Sequence, residues 1–414
     1  MTELRIVTMG CRLNAFESEV MRAEAAAAGV TGAVIVNTCA VTGEAVRQAR
    51  QTIRRLRREC PGDRIVVTGC AAQLEPAAFA AMPEVDQVLG NREKLDRRRL
   101  DDRDSVVAVA DIAAEPSATP PLLEGFEGRA RAFVQIQQGC DHHCTFCIIP
   151  AARGPNRSVA PERIIAKVRA LVARGISEVV LTGVDICSYG ADLAERPRLG
   201  DLVPAVLAEV PALPRLRLST LDPAAVDDAL VSAFADHARL MPHVHFSLQA
   251  MDDTVLKRMR RRHRRGDVFS LAQRLRHARP GIVFGADLIA GFPTESPAMF
   301  QATLDAVEAL DVPYLHVFPY SPRPGTPAAR MPQVPGPERR ARAARLREAG
   351  ERARRRFHER RVGARTEVLV EAGRIGRCRH YAVVRLDRDA VPGALIPVRI
   401  DGFDGDGLTG SLIP

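Results

Sequence analysis

Gln138-Gly139-Cys140-Asp141-His142-His143-Cys144-Thr145-Phe146-Cys147 stands directly behind FVQIQ (133–137), a run of strand length. The spacing Cys-x3-Cys-x2-Cys lets one loop bring three thiolates to a single metal centre. A [4Fe–4S] cluster takes a thiolate on each iron it holds, so three cysteines leave one iron open to another ligand. Tetrahedral zinc would want a fourth protein donor, which His142 or His143 could supply, so spacing alone leaves both metals open. Working outward, FVQIQ is followed by EVVLTG, RLRLST, HVHFSLQ, IVFGADLIAGF and YLHVFPYS, with helix-like segments such as Pro161 to Arg174 and Asp252 to Arg262 between them. About six βα units predict an incomplete α/β barrel rather than the eight of a full one, with functional groups at the strand carboxyl ends.

Upstream, RIVTMG, AVIVNT and RIVVTG are β-branched runs separated by helical stretches at Ala15 to Ala28 and Glu44 to Arg58, which predict a small α/β domain with a mainly parallel sheet. Cys11, Cys39 and Cys70 each follow one of these strands, in MGC, NTC and TGC. The carboxyl ends of parallel strands converge on one crevice, so three thiolates should meet there as a second iron–sulfur site. Cys60, Cys187 and Cys378 lack such partnering and read as ordinary small side chains.

The 46% hydrophobic and 26% charged residues of this 414-residue chain are ordinary globular proportions, and the length allows two to four domains. No run of about 18 apolar residues is present to span a bilayer. The start, MTELRIVTMG, lacks the features of a secretory signal, which predicts a cytosolic chain whose nine cysteines are thiols. The net charge of +9 is almost wholly arginine, since only Lys94, Lys167 and Lys257 are lysines. That bias looks genomic, so the position of the charge matters more than its total. Two tracts concentrate it. One is KRMRRRHRR (257–265), offering Arg258, Arg260, Arg261, Arg262, Arg264 and Arg265 to nucleic-acid phosphates. The other is Glu338 to Arg361, with eleven Arg against four Glu, a basic helix opened by Pro337 and capped near Gly363. Either tract could equally be a solvated helix face. AAEPSATPPLLEG (113–125) reads as a linker, and the last fifty residues alternate short strands with Gly and Asp turns, a small all-β, barrel-like module. The expected boundaries are 1–112, 113–125, 126–362 and 363–414.

The three-cysteine loop behind the first barrel strand resembles the signature of radical S-adenosylmethionine (SAM) enzymes. In that family the open iron chelates the cofactor, which is cleaved to a 5′-deoxyadenosyl radical. The resemblance implies SAM contacts at Phe146, at Gly183 of LTGVD and at Gly291 of GADLIAGFPTE. With the second triad and the β tail, the whole chain resembles the methylthiotransferases: a cluster-binding N-terminal domain, an incomplete (β/α)6 radical SAM barrel and a TRAM module associated with RNA binding. GCRLNAFESE, NTCAVTGEAVRQARQTIRR, TGCAAQ, FSLQAMDDTVLKRMRRRH and FPYSPRPGTPAARM are similar to the subgroup acting on N6-threonylcarbamoyladenosine at tRNA position 37.

The resemblance implies two [4Fe–4S] clusters, SAM, a tRNA anticodon stem-loop as substrate, a small electron-transfer protein as reductant and no membrane. The catalytic machinery would be the cluster ligands themselves: Cys140, Cys144 and Cys147 for SAM cleavage, Cys11, Cys39 and Cys70 for the sulfur to be transferred. One departure is that Pro150 is followed by Ala151 where relatives commonly carry Tyr, which removes a stacking ring. The rival readings are an isopentenyladenosine-specific tRNA enzyme, a ribosomal-protein methylthiotransferase and a non-enzymatic, metal-dependent RNA-binding protein.

Overall fold

Three β-branched runs near the amino end pair side by side, the middle one buried throughout. The computed structural model describes residues 3–102, 104–113, 130–405 and 407–413. Strands β1 (Arg5–Thr8), β2 (Ala33–Thr38), β3 (Arg64–Gly69), β4 (Gln87–Leu89) and β5 (Val107–Ala108) form one parallel sheet in chain order. Every residue of β2 is buried, as expected of a parallel strand covered on both faces. The crossover helices are α1 (Arg12–Ala27) and α2 (Gly43–Glu59). In α2 the hydroxyl of Thr42 accepts from the amide of Ala45, Glu44 stands in the first turn and Arg57 and Arg58 in the last, which satisfies an end amide and matches the helix dipole. Val46, Ala49, Ile53 and Leu56 give it one buried face.

Two compact units emerge. The first gathers this sheet with Gln137–Ser158 and Ser321–Ala329, and so includes the cysteine loop. Ala152 and Ile148, just beyond the loop, pack into the apolar core made by Val34, Val36, Val67 and Val88. The expected linker at 113–125 lies, apart from Ala113, outside the described residues.

The second unit holds the six expected barrel strands: Arg131–Gln135, Glu178–Thr182, Arg215–Leu218, His243–Gln249, Val283–Ala290 and Tyr314–Pro319. They are parallel and follow one another in chain order, the third continuing through Thr220–Leu221 to pair with the fourth. Among the described residues no ladder joins the sixth strand to the first, so the barrel is incomplete. A long helix, Gly336–Glu359, packs along it through Leu346, Ala349, Gly350, Ala353 and Phe357. A Cβ on Gly350 would lie 3.0 Å from Leu315, so the glycine permits this close approach.

The tail, Arg365–Ala372, Ile375–Cys378, Val383–Leu386, Leu395–Asp404 and Gly407–Leu412, closes into a five-stranded barrel. Cys378 sits in its apolar core with Val368, Val384 and Leu408. The tail caps the amino ends of the large barrel's strands, where Arg131, Arg215, His243 and Tyr314 are each the first residue of a strand. Arg215 donates to Glu367 at 2.8 Å, Arg131 pairs with Glu371 at 2.9 Å and the Tyr314 hydroxyl donates to the His380 carbonyl at 3.1 Å. His243 stacks on Tyr381 with ring centroids 4.8 Å apart, and the guanidiniums of Arg131, Arg217 and Arg377 surround that ring within 5.8 Å.

Candidate functional site

Neighbouring strands lie about 4.8 Å apart, so residues just past the ends of three adjacent strands fall within the span of one small metal cluster. Cys39 and Cys70 come immediately after β2 and β3, and Cys11 caps α1 after β1. Gly10 shows how tight the crevice is: at φ +90° it is left-handed, and a Cβ there would stand 2.6 Å from Cys39 Cβ and 2.8 Å from Cys39 Sγ. Cys39 and Cys70 are buried while Cys11 is exposed. Burial pushes the Cys39 thiol up to about 11, with the charges of Cys70 and Cys11 adding to it. Such a thiol keeps its proton at neutral pH until a metal displaces it.

Beneath the three sulfurs lies a buried polar network that composition and spacing did not reveal. Glu17 accepts from Arg153 at 2.7 Å and from Lys94 at 2.6 Å, and none of the three side chains is more than 2% exposed. Asn14 Oδ1 accepts from Arg153 at 2.7 Å and lies 3.9 Å from Cys11 Sγ. Asn91 Oδ1 accepts from Lys94 at 2.8 Å, while its Nδ2 lies 3.8 Å from Cys70 Sγ and donates to the Ala152 carbonyl at 2.8 Å. Asn37, two residues before Cys39, donates to the Asn14 carbonyl at 3.0 Å. The available sequence signals were Asn14 and Glu17 at helical spacing from Cys11, and a lysine at 94 in a chain that otherwise prefers arginine.

Burial alone would raise the Glu17 pKa, but Arg153 and then Lys94 hold it down at about 2 against an ordinary 4.5. A carboxyl held below its unfolded value stabilises the fold fully above the unfolded value and loses that contribution as pH falls through the folded one. Acid unfolding of the N-terminal sheet should therefore draw on Glu17 between pH 4.5 and about 2. Circular dichroism of wild type against Glu17→Gln checks this, with the variant expected to be less stable at neutral pH and flatter across that window.

The second triad is held by a short antiparallel neck, Gln137–Gln138 against Arg157–Ser158. Gly139, at φ +72°, cannot carry a side chain because its Cβ would meet the Pro155 carbonyl oxygen at 1.8 Å. The Cys140 amide donates to the Gly154 carbonyl at 3.0 Å, and the Thr145 carbonyl accepts from the Ala328 amide at 2.9 Å. The amides of His142 and Ile149 donate to Cys140 Sγ and Cys147 Sγ, each at 3.4 Å, which favours the thiolate form a metal needs. Cys140, Cys144, Cys147 and Phe146 are all half-buried. Ala151 is exposed, so the missing Tyr falls on an accessible position.

In the barrel unit, Gly183 directly follows Glu178–Thr182 and Gly291 directly follows Val283–Ala290, both at carboxyl ends. Gly291 also has a structural reason, since at φ +72° its Cβ would stand 2.5 Å from Arg339 Cγ. Its amide donates to Glu295, which Arg342 also engages at 2.6 Å. A further cluster escaped sequence reasoning: Asp287 takes hydrogen bonds from His245 at 3.1 Å and His316 at 3.2 Å on neighbouring strands. Burial would raise Asp287, yet the two imidazoles hold it below the carboxylate range.

The arginines of the two basic tracts divide between inward and exposed positions. Arg261 is turned inward, donating to Ser247 and pairing with Asp222, and Arg258 donates to Thr294. Arg262 pairs with Asp222 at 3.0 Å, and Arg265 donates to the Ala302 carbonyl. Arg260 and Arg264 are exposed. In the long helix Arg342 is buried, while Arg352, Arg356 and Arg360 pair with Glu308 or Asp311. Much of the arginine excess thus fastens helices to the barrel, because a guanidinium satisfies carboxylates and carbonyls that packing leaves at the rim.

Comparison with known proteins places these features. Residues 134–307 match the Radical SAM superfamily, and residues 3–90 match Uncharacterized protein family UPF0004. The chain is 45% identical over 399 residues, 96% of its length and 95% of the relative's, to the threonylcarbamoyladenosine tRNA methylthiotransferase MtaB of Rickettsia prowazekii. The chain belongs to the radical SAM methylthiotransferase family. Another family relative, the tRNA-2-methylthio-N(6)-dimethylallyladenosine synthase of Roseobacter denitrificans, is 33% identical over 96% of both chains. The solved radical SAM methyltransferase TsrM of Kitasatospora setae shares the fold at a TM-score of 0.53 and 16% identity, over 80% of this chain and 77% of that one.

Membership in the radical SAM methylthiotransferases implies a [4Fe–4S] cluster, SAM and a second cluster in the N-terminal domain. The residues fit that requirement. Three sulfurs at adjacent strand ends, one of them a thiol whose pKa burial raises, and two buried cations one amide away are a donor set suited to an anionic metal cluster. No described helix is long and apolar enough to cross a membrane.

Proposed function

We propose that this protein is a tRNA methylthiotransferase that converts N6-threonylcarbamoyladenosine beside the anticodon, at tRNA position 37, to its 2-methylthio derivative. The observation that carries this reading is 45% identity across 96% of the chain to a relative of that specificity, against 33% to a dimethylallyladenosine enzyme. Cys140, Cys144 and Cys147 hold one [4Fe–4S] cluster and Cys11, Cys39 and Cys70 the other, with Phe146, Gly183 and Gly291 against SAM. Bound there, these groups supply the one-electron chemistry and the sulfur that an unactivated aromatic C2–H bond requires. The chain's own residues fix the thiolates: the crevice of β1–β3 excludes water from Cys39 and Cys70, and the neck at Gln137–Ser158 fixes the second loop.

Three thiolates per site are the useful number, because each leaves a coordination position for SAM or for sulfur. A small electron-transfer protein supplies electrons, and the work is done in the cytoplasm where tRNA is processed. The base leaves the anticodon-loop stack to reach the chemistry, while phosphate contacts provide most of the affinity. Lys257, Arg260, Arg262 and Arg264 are exposed in the 257–265 tract; Asp222 holds Arg262, and Arg260 and Arg264 are the arginines assigned to these contacts. Reversing both to Glu should reduce the slope of log K against log salt by about one per lost phosphate contact, measured by filter binding over a salt series; an unchanged slope removes the tract from the interface. The function itself is tested by nucleoside mass spectrometry of tRNA from a deletion strain. Loss of 2-methylthio-N6-threonylcarbamoyladenosine with isopentenyladenosine derivatives intact is expected, and the reverse pattern would overturn the assignment.

A further inference from the structure

Lys94 is fully buried, and it is one of only three lysines in this arginine-rich sequence. Its ammonium and the Arg153 guanidinium share one carboxylate, Glu17, so the trio leaves a single net positive charge out of water. A buried charge without a counter-ion is costly and persists only where an anion compensates it. The nearest candidates are the sulfurs. Arg153 reaches Cys11 through one amide, Asn14, at 2.7 and 3.9 Å, and Lys94 reaches Cys70 through one amide, Asn91, at 2.8 and 3.8 Å. A cubane core in its doubly positive state with three thiolates carries a single net negative charge, which matches the trio in size and opposite sign.

On the reading that Cys11, Cys39 and Cys70 hold a cluster, we propose that Lys94 and Arg153 are its counter-charge and set its reduction potential, with Glu17 limiting their effect. An added electron makes the cluster more negative, so a buried cation nearby favours the reduced form and raises the potential. Arg153 has a second property. It lies six residues beyond Cys147, so the segment that carries the second triad delivers the charge to the first. These residues tune and position; neither touches the reacting atoms.

The test uses the full chain with Cys140, Cys144 and Cys147 replaced by Ala, which leaves one cluster, about four irons, to observe. Redox titration followed by electron paramagnetic resonance reads its potential. Lys94→Met should lower the reduced-to-oxidised ratio at fixed potential on the order of tenfold, ~59 mV for a one-electron couple, and Glu17→Gln should raise it by a similar factor. Opposite signs from two variants of one network are not produced by loosened packing. If Glu17→Gln does not fold, Arg153→Met takes its place and must move the ratio in the same direction as Lys94→Met. Potentials unmoved or shifted with the wrong sign while iron is retained overturn the inference alone. An iron-free background overturns the cluster assignment, and this inference with it.

Discussion

Replacing Cys39 with Ala is expected to abolish formation of the 2-methylthio product while SAM is still cleaved, whereas replacing Cys144 or Cys147 abolishes both. The asymmetry follows from the two triads being separately built. Cys39 stands at the end of β2 between Cys11 and Cys70, and its loss removes one of three donors from a site made of strand ends. Iron should fall from about eight to about four atoms per chain, since two remaining sulfurs hold a cluster poorly. The loop at 140–147 keeps its own neck, its Gly139 turn and its amide-to-sulfur hydrogen bonds, none of which involves Cys39. Removing Cys144 or Cys147 instead takes a donor from the loop and stops cofactor cleavage, without which no C2 chemistry begins. Anaerobic assays of 5′-deoxyadenosine and of modified nucleoside on each variant separate the two outcomes. Identical behaviour of the variants would show that the triads do not divide the work.

Glu178→Gln should destabilise the barrel unit by about 3–5 kcal/mol, the range for breaking a buried ion pair from one side. Glu178 is fully buried, and both its oxygens accept from Arg217 at 3.0 Å, with Arg215 and Arg131 each 3.8 Å away. Burial by itself would raise its pKa; Arg217, Arg131 and Arg215 together hold it below the ordinary carboxylate value. Without the carboxylate, Arg217 stays buried with a carbonyl, that of Arg379, and the Tyr381 ring for company. Arg215 keeps Glu367. Adding Arg217→Met to Glu178→Gln should therefore recover most of the loss, because removing both charges leaves little unpaired. Urea unfolding of the wild type, both single variants and the double variant closes this cycle, and a double variant no better than Glu178→Gln would assign the cost to shape rather than charge.

The sequence read well where one residue type had one physical reason to stand where it does. Three cysteines behind three β-branched runs implied adjacent strand ends, since parallel strands present their carboxyl ends together, and the structure places them there. Six strand runs implied six barrel strands for the same reason of period and length. The arginine tracts stayed open in the sequence because a charged side chain has two equally good destinations, water or a buried carboxylate, and sequence spacing does not distinguish them. Arg261 and Arg342 went inward, Arg260 and Arg264 outward.

What the sequence by itself determined is therefore periodic: the strand and helix types, and the two cysteine triads that follow from strand ends and from one short loop. Tertiary structure alone decided what joins distant segments. It brought Glu17, Lys94 and Arg153 to one point, 136 positions separating the first from the last. It also set the tail against the amino ends of the barrel strands through Arg215 and Glu367, 152 positions apart. Such pairs leave no periodic trace, because a buried charge is placed by the partner that neutralises it, and that partner is chosen by the fold rather than by the chain.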